Sequence, residues 1–470
     1  MGSAQRPKIE HRVIALFLAV GFVLALRGCP PRGTGPPSTW PPLSLSPQDR
    51  LLILAPHPDD EVLGCGGLIQ QAVAMRLPIR VVFFTYGDNN EWSFFVYRRR
   101  PVLLPNAVRQ IGLIRHDEAL AAAAVLGLAP DQLTFLGYPD FGTLRIWETH
   151  WGSQRPFQSM LTRVRAVPYD NALRPGAPYT GEEIVRDLTA IIRQFRPTKV
   201  FVSHSADYNP DHRSLYLFTR VALWDVAAEL QPELHPYLVH FRRWPTGRGF
   251  HPTKPLEPPP PLREAVRWQS VALTDAQIQR KRRALEAHRT QYGYSARRLL
   301  PFIGPNELFG DFAGVQLPEV GTTLSLTERH AAGVPEVPEE LSEREQAMFV
   351  GVEERIVRLE RGDLVLSLEF SRPLAETVGA SIYIFGYRSD RPFPEMPKLH
   401  IKLGPATTDV YDQHRRVPGE GVRVVRGLKQ VTVRVPLTLL GDPQRVLTSA
   451  RTYMGEVPLD WVAWRVLELR

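Results

Sequence analysis

The stretch Leu51-Leu52-Ile53-Leu54-Ala55-Pro56-His57-Pro58-Asp59-Asp60-Glu61 decides how the chain is read. Its first five residues form an apolar run of strand length, too short for a buried helix. The run stops at a proline-rich turn that carries one imidazole and three carboxylates. Val62 to Met75 follows with helical periodicity, and Ile79 to Thr85 reads as a second strand. Outward from there, Ile114 to Leu126 is an alanine-rich helix closed by Gly127, and Gln132 to Leu136 is a third strand. Gly181 to Phe195 is an amphipathic helix, Lys199 to Ser203 a fourth strand, and His212 to Trp224 a helix. Strands alternating with helices predict an α/β, Rossmann-like, mostly parallel sheet with helices on both faces. Ligands of such sheets bind at the carboxyl ends of the strands.

Two polar clusters sit at such ends. The first is His57, Asp59 and Asp60 after the first strand; the second runs from Ser203 to His212 after the fourth. A His and a carboxylate in one turn, joined by a distant second His, match the ligand set of an open catalytic zinc site. A second carboxylate beside the metal can take a proton from water and return it to a leaving amine. One short segment can therefore supply two ligands and a base, with His212 the natural third ligand. The plainer reading of an Asp-Asp pair after a strand is a helix N-cap. Gly64, Gly66 and Gly67 allow close approach of backbone to a ligand.

These residues also carry a resemblance. Pro56-His57-Pro58-Asp59-Asp60-Glu61 with Gly64-Cys65-Gly66-Gly67 resembles the signature of the PIG-L/LmbE-like N-acetylglucosaminyl deacetylases. Thr85-Tyr86-Gly87-Asp88, Arg115-His116-Asp117-Glu118, Leu136-Gly137-Tyr138-Pro139-Asp140, Pro210-Asp211-His212 and Lys281 to Gln291 follow in the family's order. The resemblance covers roughly Leu51 to Phe309. It implies one divalent cation, Zn2+, on His57, Asp60 and His212, with Asp59 as general base. It also implies an N-acetylated amino-sugar substrate. Asn209 stands where the family often has a His that steadies the oxyanion; an amide can still donate a hydrogen bond there, and His204 or Tyr208 are substitutes. Asp211 is read as orienting its neighbours, and Arg115, Asp140, Tyr208 and His288 as substrate-binding positions. The working function is a zinc-dependent N-deacetylase. The alternatives are a metal-dependent amidase on a non-sugar amide and a degenerate hydrolase that serves as a surface glycan-binding protein.

The chain has 470 residues, 43% of them hydrophobic, enough for more than one packed core. Its net charge is +8, but no block of like charges stands out, which argues against a nucleic-acid partner and leaves weak attraction to an anionic envelope. Arg6, Lys8 and Arg12 precede an apolar run from Val13 to Leu26, the pattern of an export signal. Leu26-Arg27-Gly28-Cys29 resembles a lipobox. Lipidation of Cys29, an uncleaved anchor and ordinary cleavage all place the body of the protein outside the cytoplasm, the first two with membrane association.

The expected organisation is a signal, lipoprotein or anchor segment over 1–29, a proline-rich linker over 30–48 and the deacetylase domain over 49–315. A linker over 316–350 and a C-terminal antiparallel β-sandwich over 351–470 complete it. Trp92 to Asn106 and Thr143 to Thr180 read as long loops, and Trp268 to Tyr292 as largely helical with Lys281, Arg282 and Arg283 on its exposed side. In the sandwich, five short strands are expected around Ile356–Leu359, Leu364–Leu368, Ser381–Phe385, Leu399–Leu403 and Val431–Val435. Tyr383, Phe385, Tyr387, Trp461 and Trp464 are either a sugar-stacking surface or sandwich core. Val433 to Leu440 and Asp460 to Leu467 resemble family-9-like carbohydrate-binding sandwiches, which implies polysaccharide contact; a scaffold or partner-binding module is the alternative.

Overall fold

The computed structural model describes residues 40–89, 104–317, 323–327, 337, 341–404 and 407–469. The N-terminal segment with Cys29, and most of the Trp92–Asn106 loop, lie outside the described residues. Among the described residues no helix is long and apolar enough to cross a membrane.

Five parallel strands form the central sheet: β1 (Leu51–Ala55), β2 (Ile79–Thr85), β3 (Leu133–Tyr138), β4 (Lys199–Ser203) and β5 (Glu233–Tyr237), in the order β3-β2-β1-β4-β5. β1 is wholly buried and paired on both sides, which is why it reads as an unbroken apolar run. β5 was not legible as a strand because of its Glu-Leu-His-Pro-Tyr sequence. It lies at the sheet edge, where a proline costs little pairing.

Helices flank the sheet. They are α1 (Asp60–Ala74), α2 (Pro105–Leu126), α3 (Thr143–Thr149), α4 (Gly181–Phe195), α5 (Pro210–Asp225), α6 (Asp275–Ala287) and α7 (Arg289–Leu299). α1, α2 and α6 pack together, as do α3, α4 and α5. α2 starts with proline at its first turn and stops at Gly127, whose φ of 97° is open to glycine. In α4, Ile184, Leu188, Ile191 and Ile192 fall on one buried face.

Several expectations are corrected here. Trp268 to Tyr292 is largely helical, over α6 and the start of α7, but it opens with the end of β6 (Val266–Ala272), which pairs antiparallel with β7 (Asn306–Phe312). Lys281 is fully buried rather than exposed. The Thr143–Thr180 stretch is not all loop, since it contains α3.

The C-terminal region holds two antiparallel sheets. One places Asp363–Phe370 between Val352–Glu360 and Gln430–Pro436; the other places Val378–Tyr387 between Lys398–Leu403 and Arg445–Met454. All five expected strands are present. Leu324–Thr327 adds an antiparallel edge strand from the stretch read as linker, and Val315–Gln316, at the expected boundary, adds a short parallel one.

Strand Val378–Tyr387 shows what the aromatics do. Ala380, Ile382 and Ile384 point into an aliphatic core between the two sheets. Tyr383, Phe385 and Tyr387, one residue out of phase, point the other way and join the core of the α/β layer. Trp147 of α3 meets Phe385 at 5.6 Å and Trp464 at 6.1 Å between ring centroids. Tyr383, Phe385, Tyr387 and Trp464 are therefore neither a sugar-stacking surface nor sandwich core. They are the seam that joins the sandwich to the α/β layer.

Candidate active site and metal centre

The strand order reverses direction between β1 and β4, the switch point at whose carboxyl ends such sheets bind ligands. The turn after β1 and the turn after β4 meet there. His57 Nδ1 lies 3.1 Å from Asp60 Oδ2, His212 Nε2 lies 3.1 Å from the same oxygen, and the two nitrogens are 3.3 Å apart. All three residues are buried. Metal bonds of about 2 Å at near-tetrahedral angles separate ligand atoms by about this much. The three residues therefore fit a single divalent cation.

The surroundings fit a cation as well. Asp59, Asp60, Asp140, Asp207 and Asp211 are all buried around the two imidazoles. Burial opposes charging of His212, but Asp207 and Asp60 outweigh it and push the imidazole up to about 9. For Asp60, burial is outweighed by His212 and His57, which hold it well below the usual carboxylate range. A pocket this rich in negative charge gains by taking up positive charge.

Each ligand is held from behind. His57 turns its far nitrogen, Nε2, to Asp140 at 3.1 Å and to Asp211 at 3.3 Å. Asp211 in turn accepts the Phe141 N–H at 2.6 Å and the Thr143 N–H at 3.2 Å. Asp140 accepts the Asn89 N–H at 2.9 Å. His212 places Nδ1 3.1 Å from Asp207, whose Oδ2 also takes the N–H groups of Val239 and His240. Carboxylates in these places fix ring orientation and raise ligand basicity.

Asp59 occupies the N-cap position of α1, yet its side chain makes no capping bond. Its φ of 126° is unusual for a residue with a Cβ. The conformation is over-determined by its neighbours: the Asp59 N–H donates to Glu61 at 2.9 Å, and Arg115 clamps the adjoining Pro58 carbonyl at 2.6 Å. Such strain tends to persist where function requires it. Burial and the neighbouring Asp60 push the Asp59 carboxyl up to about 7, against the pull of Arg115. That is a carboxyl poised to exchange protons near neutrality.

The remaining predicted residues fall in different places. Arg115 is buried and spends its guanidinium on the Pro58 and Gly87 carbonyls and on Asp59 at 3.5 Å. His288 is fully buried and meets Glu61 at 2.9 Å, so it supports the Asp59 turn from beneath. Asp140 braces His57. Asn209 caps α5: its Oδ1 accepts the Asp211 N–H at 2.8 Å. Tyr208 is exposed and stacked on Phe241 at 4.8 Å. His204 is wholly buried against Trp268 and Phe312, away from the cleft, which removes it as a substitute for the residue at 209. The glycines of α1 face protein rather than ligand: a Cβ on Gly64 would stand 2.4 Å from the Tyr237 ring. Sequence reasoning gave no role to Asp207, although it stands inside the second cluster, or to Glu61. It passed over His240, which follows the illegible strand β5.

Fold and site together define a Rossmann-like α/β protein with a two-histidine, one-carboxylate group that could hold a metal ion. Residues 52–223 match the family described as PIG-L: GlcNAc-PI de-N-acetylase. A 1D-myo-inositol 2-acetamido-2-deoxy-alpha-D-glucopyranoside deacetylase of Gordonia bronchialis is 30% identical over 192 residues, 40% of this chain and 61% of the relative. A protein of the same name from Kribbella flavida is 26% identical over 307 residues, 57% of this chain and 92% of the relative. The chain spans about half to three fifths of the length of the first curated relatives it matches. Among solved structures, N,N'-diacetylchitobiose deacetylase from Pyrococcus horikoshii is 20% identical, with 53% of this chain and 75% of that one covered and a TM-score of 0.32.

Proposed function

We propose that this protein is a zinc-dependent N-deacetylase that hydrolyses the acetamide of an N-acetylglucosamine-containing glycan or glycoconjugate. The observation that carries the reading is the triangle of His57 Nδ1, Asp60 Oδ2 and His212 Nε2, with the uncapped carboxylate of Asp59 beside it. The matched family and the names of the relatives, which specify a 2-acetamido sugar, favour that substrate class over other amides. The export pattern before Leu26 favours action outside the cytoplasm.

A zinc ion held by His57, Asp60 and His212 supplies Lewis-acid polarisation of a carbonyl and a lowered pKa for water. The chain supplies the rest. Asp59 takes a proton at its carboxylate as water attacks and hands it to the departing amine. Asp140 and Asp211 keep His57 in one orientation, and Asp207 does the same for His212. Arg115 and Glu61 hold the Asp59 turn in its strained conformation.

The test is metal analysis of the purified chain together with acetate release from N-acetylglucosamine oligomers and from 2-acetamido-glucosyl-inositol. One zinc per chain and acetate from either sugar are expected. A zinc-loaded protein that releases acetate from neither would overturn the reading.

A further inference from the structure

The chain leaves β5 at Tyr237, buries Leu238 and Val239, and then exposes His240. The backbone at His240 is pinned from both sides. Its N–H donates to Asp207 at 2.9 Å, and its carbonyl accepts the Tyr208 N–H at 2.8 Å. The imidazole stands edge-on to that of His212, with centroids 4.7 Å apart and planes 71° apart. Asp207 thus sets two rings at once: through its carboxylate the ligand His212, and through the backbone the exposed His240. Among the described residues neither ring nitrogen of His240 has a hydrogen-bond partner, so both remain available to whatever enters the cleft.

We infer that His240 supplies the side-chain N–H that binds the acetyl oxygen as it gains charge, beside His212. The inference deepens the deacetylase reading and rests on it for the identity of that oxygen. Two other polar side chains near the mouth are committed elsewhere: His204 is buried, and Tyr208 is stacked on Phe241 beneath Arg242. Asn209 ties its oxygen to the start of α5, which leaves its amide nitrogen as the competing donor that an unchanged kcat in His240→Ala would point to. A neutral imidazole carries one ring N–H, so the role requires no change of protonation. A donor placed at a developing oxyanion contributes about 10²–10³ in kcat. The rigid backbone gives the pre-organisation that such a donor needs, because the ring is positioned before substrate arrives.

The experiment uses the full zinc-loaded chain and the variants His240→Ala and His240→Gln. Three quantities are read: zinc content, steady-state acetate release from N-acetylglucosamine oligomers, and the affinity for acetate by titration calorimetry. The expected result for His240→Ala is zinc content and KM unchanged, kcat lower by about 10²-fold, and weaker acetate binding. His240→Gln, which keeps an N–H donor, recovers part of the lost kcat. A kcat within about threefold of the parent, a loss confined to KM, or loss of zinc each overturns the assignment, the last because it marks a purely structural role. If the parent chain releases no acetate, the deacetylase reading falls, and acetate affinity alone decides His240. A clear drop in His240→Ala then upholds it as a donor at the metal centre, and unchanged or absent acetate binding overturns it.

Discussion

The Nε2 of His212 stands 3.3 Å from the Nδ1 of His57, although 155 residues separate them in the chain. The parallel pairing of β1 with β4 makes this possible, since it brings both strand ends together. Two imidazoles that close, sharing the Asp60 carboxylate, form a ligand set whose strength depends on what stands behind it. His57 has two carboxylates on its far nitrogen, and loss of one such partner typically costs about 10–100-fold in metal affinity. Asp211→Asn is accordingly expected to weaken zinc binding by that order, and His212→Ala to lose the metal altogether. Competition with a chromogenic chelator measures both. An Asp211→Asn protein that binds zinc as tightly as the parent shows that the contact is incidental.

Asp59 is predicted to act through its proton and not through the metal. Asp59→Asn keeps size and shape but cannot accept the proton. It should retain one zinc per chain while kcat falls by about 10³-fold or more, since general base catalysis contributes about 10²–10⁴. The carboxyl is raised to about 7 by burial and by Asp60. A base works deprotonated, so kcat/KM of the parent rises with pH on the acid side, and a bound cation moves that limb below pH 7. Loss of zinc in Asp59→Asn would show that the residue is a ligand.

Much of this site could be read directly from the chain, for a physical reason. Ligand and base residues cluster in turns, so the His57–Asp60 and Asp207–His212 segments each announce themselves locally. What could not be read is what depends on long-range packing. Asp140 and Asp211 meet on one nitrogen of His57 only because α3 and α5 pack together. His240 follows a strand with proline in it and no alternation. The sandwich strands were legible from their turn spacing. The role of their aromatics was not, because period-two alternation says that Phe385 faces away from Ile384 but not what it faces. Lys281 was misread because a charged residue on a helix is normally solvated.

That lysine carries its own prediction. Lys281 Nζ lies 2.6 Å from Glu307 Oε1 and donates to the Leu63 carbonyl at 2.9 Å, while Glu307 accepts the Gly67 and Leu68 N–H groups at 2.6 and 2.9 Å. The pair therefore grips the middle of α1, the helix that begins with Asp60. Both side chains are almost completely buried. Removing one partner of such a pair leaves an uncompensated charge at a cost of about 3–5 kcal/mol. Lys281→Met should lower unfolding free energy by about that amount, read from denaturant midpoints at constant m-value. A change below about 1 kcal/mol would mean that water reaches Glu307 in solution.

Asp88 gives a dependence of stability on pH with a definite sign. It is buried, accepts a hydrogen bond from Tyr169, and lies near Asp140. Burial first, and then the Asp140 charge, push its carboxyl from 3.8 up to about 7. The folded chain therefore holds a proton that the unfolded chain gives up between these values. Stability from this group is full below about pH 4 and is lost as pH rises through about 7, because the unfolded state binds fewer protons in that window. Asp88→Asn mimics the protonated form and removes the titration. Between pH 5 and 8 the parent should lose more stability than Asp88→Asn does, by on the order of a few kcal/mol. The asparagine variant should be the more stable of the two at pH 8. Parallel stability curves across that range would place the Asp88 proton exchange outside it.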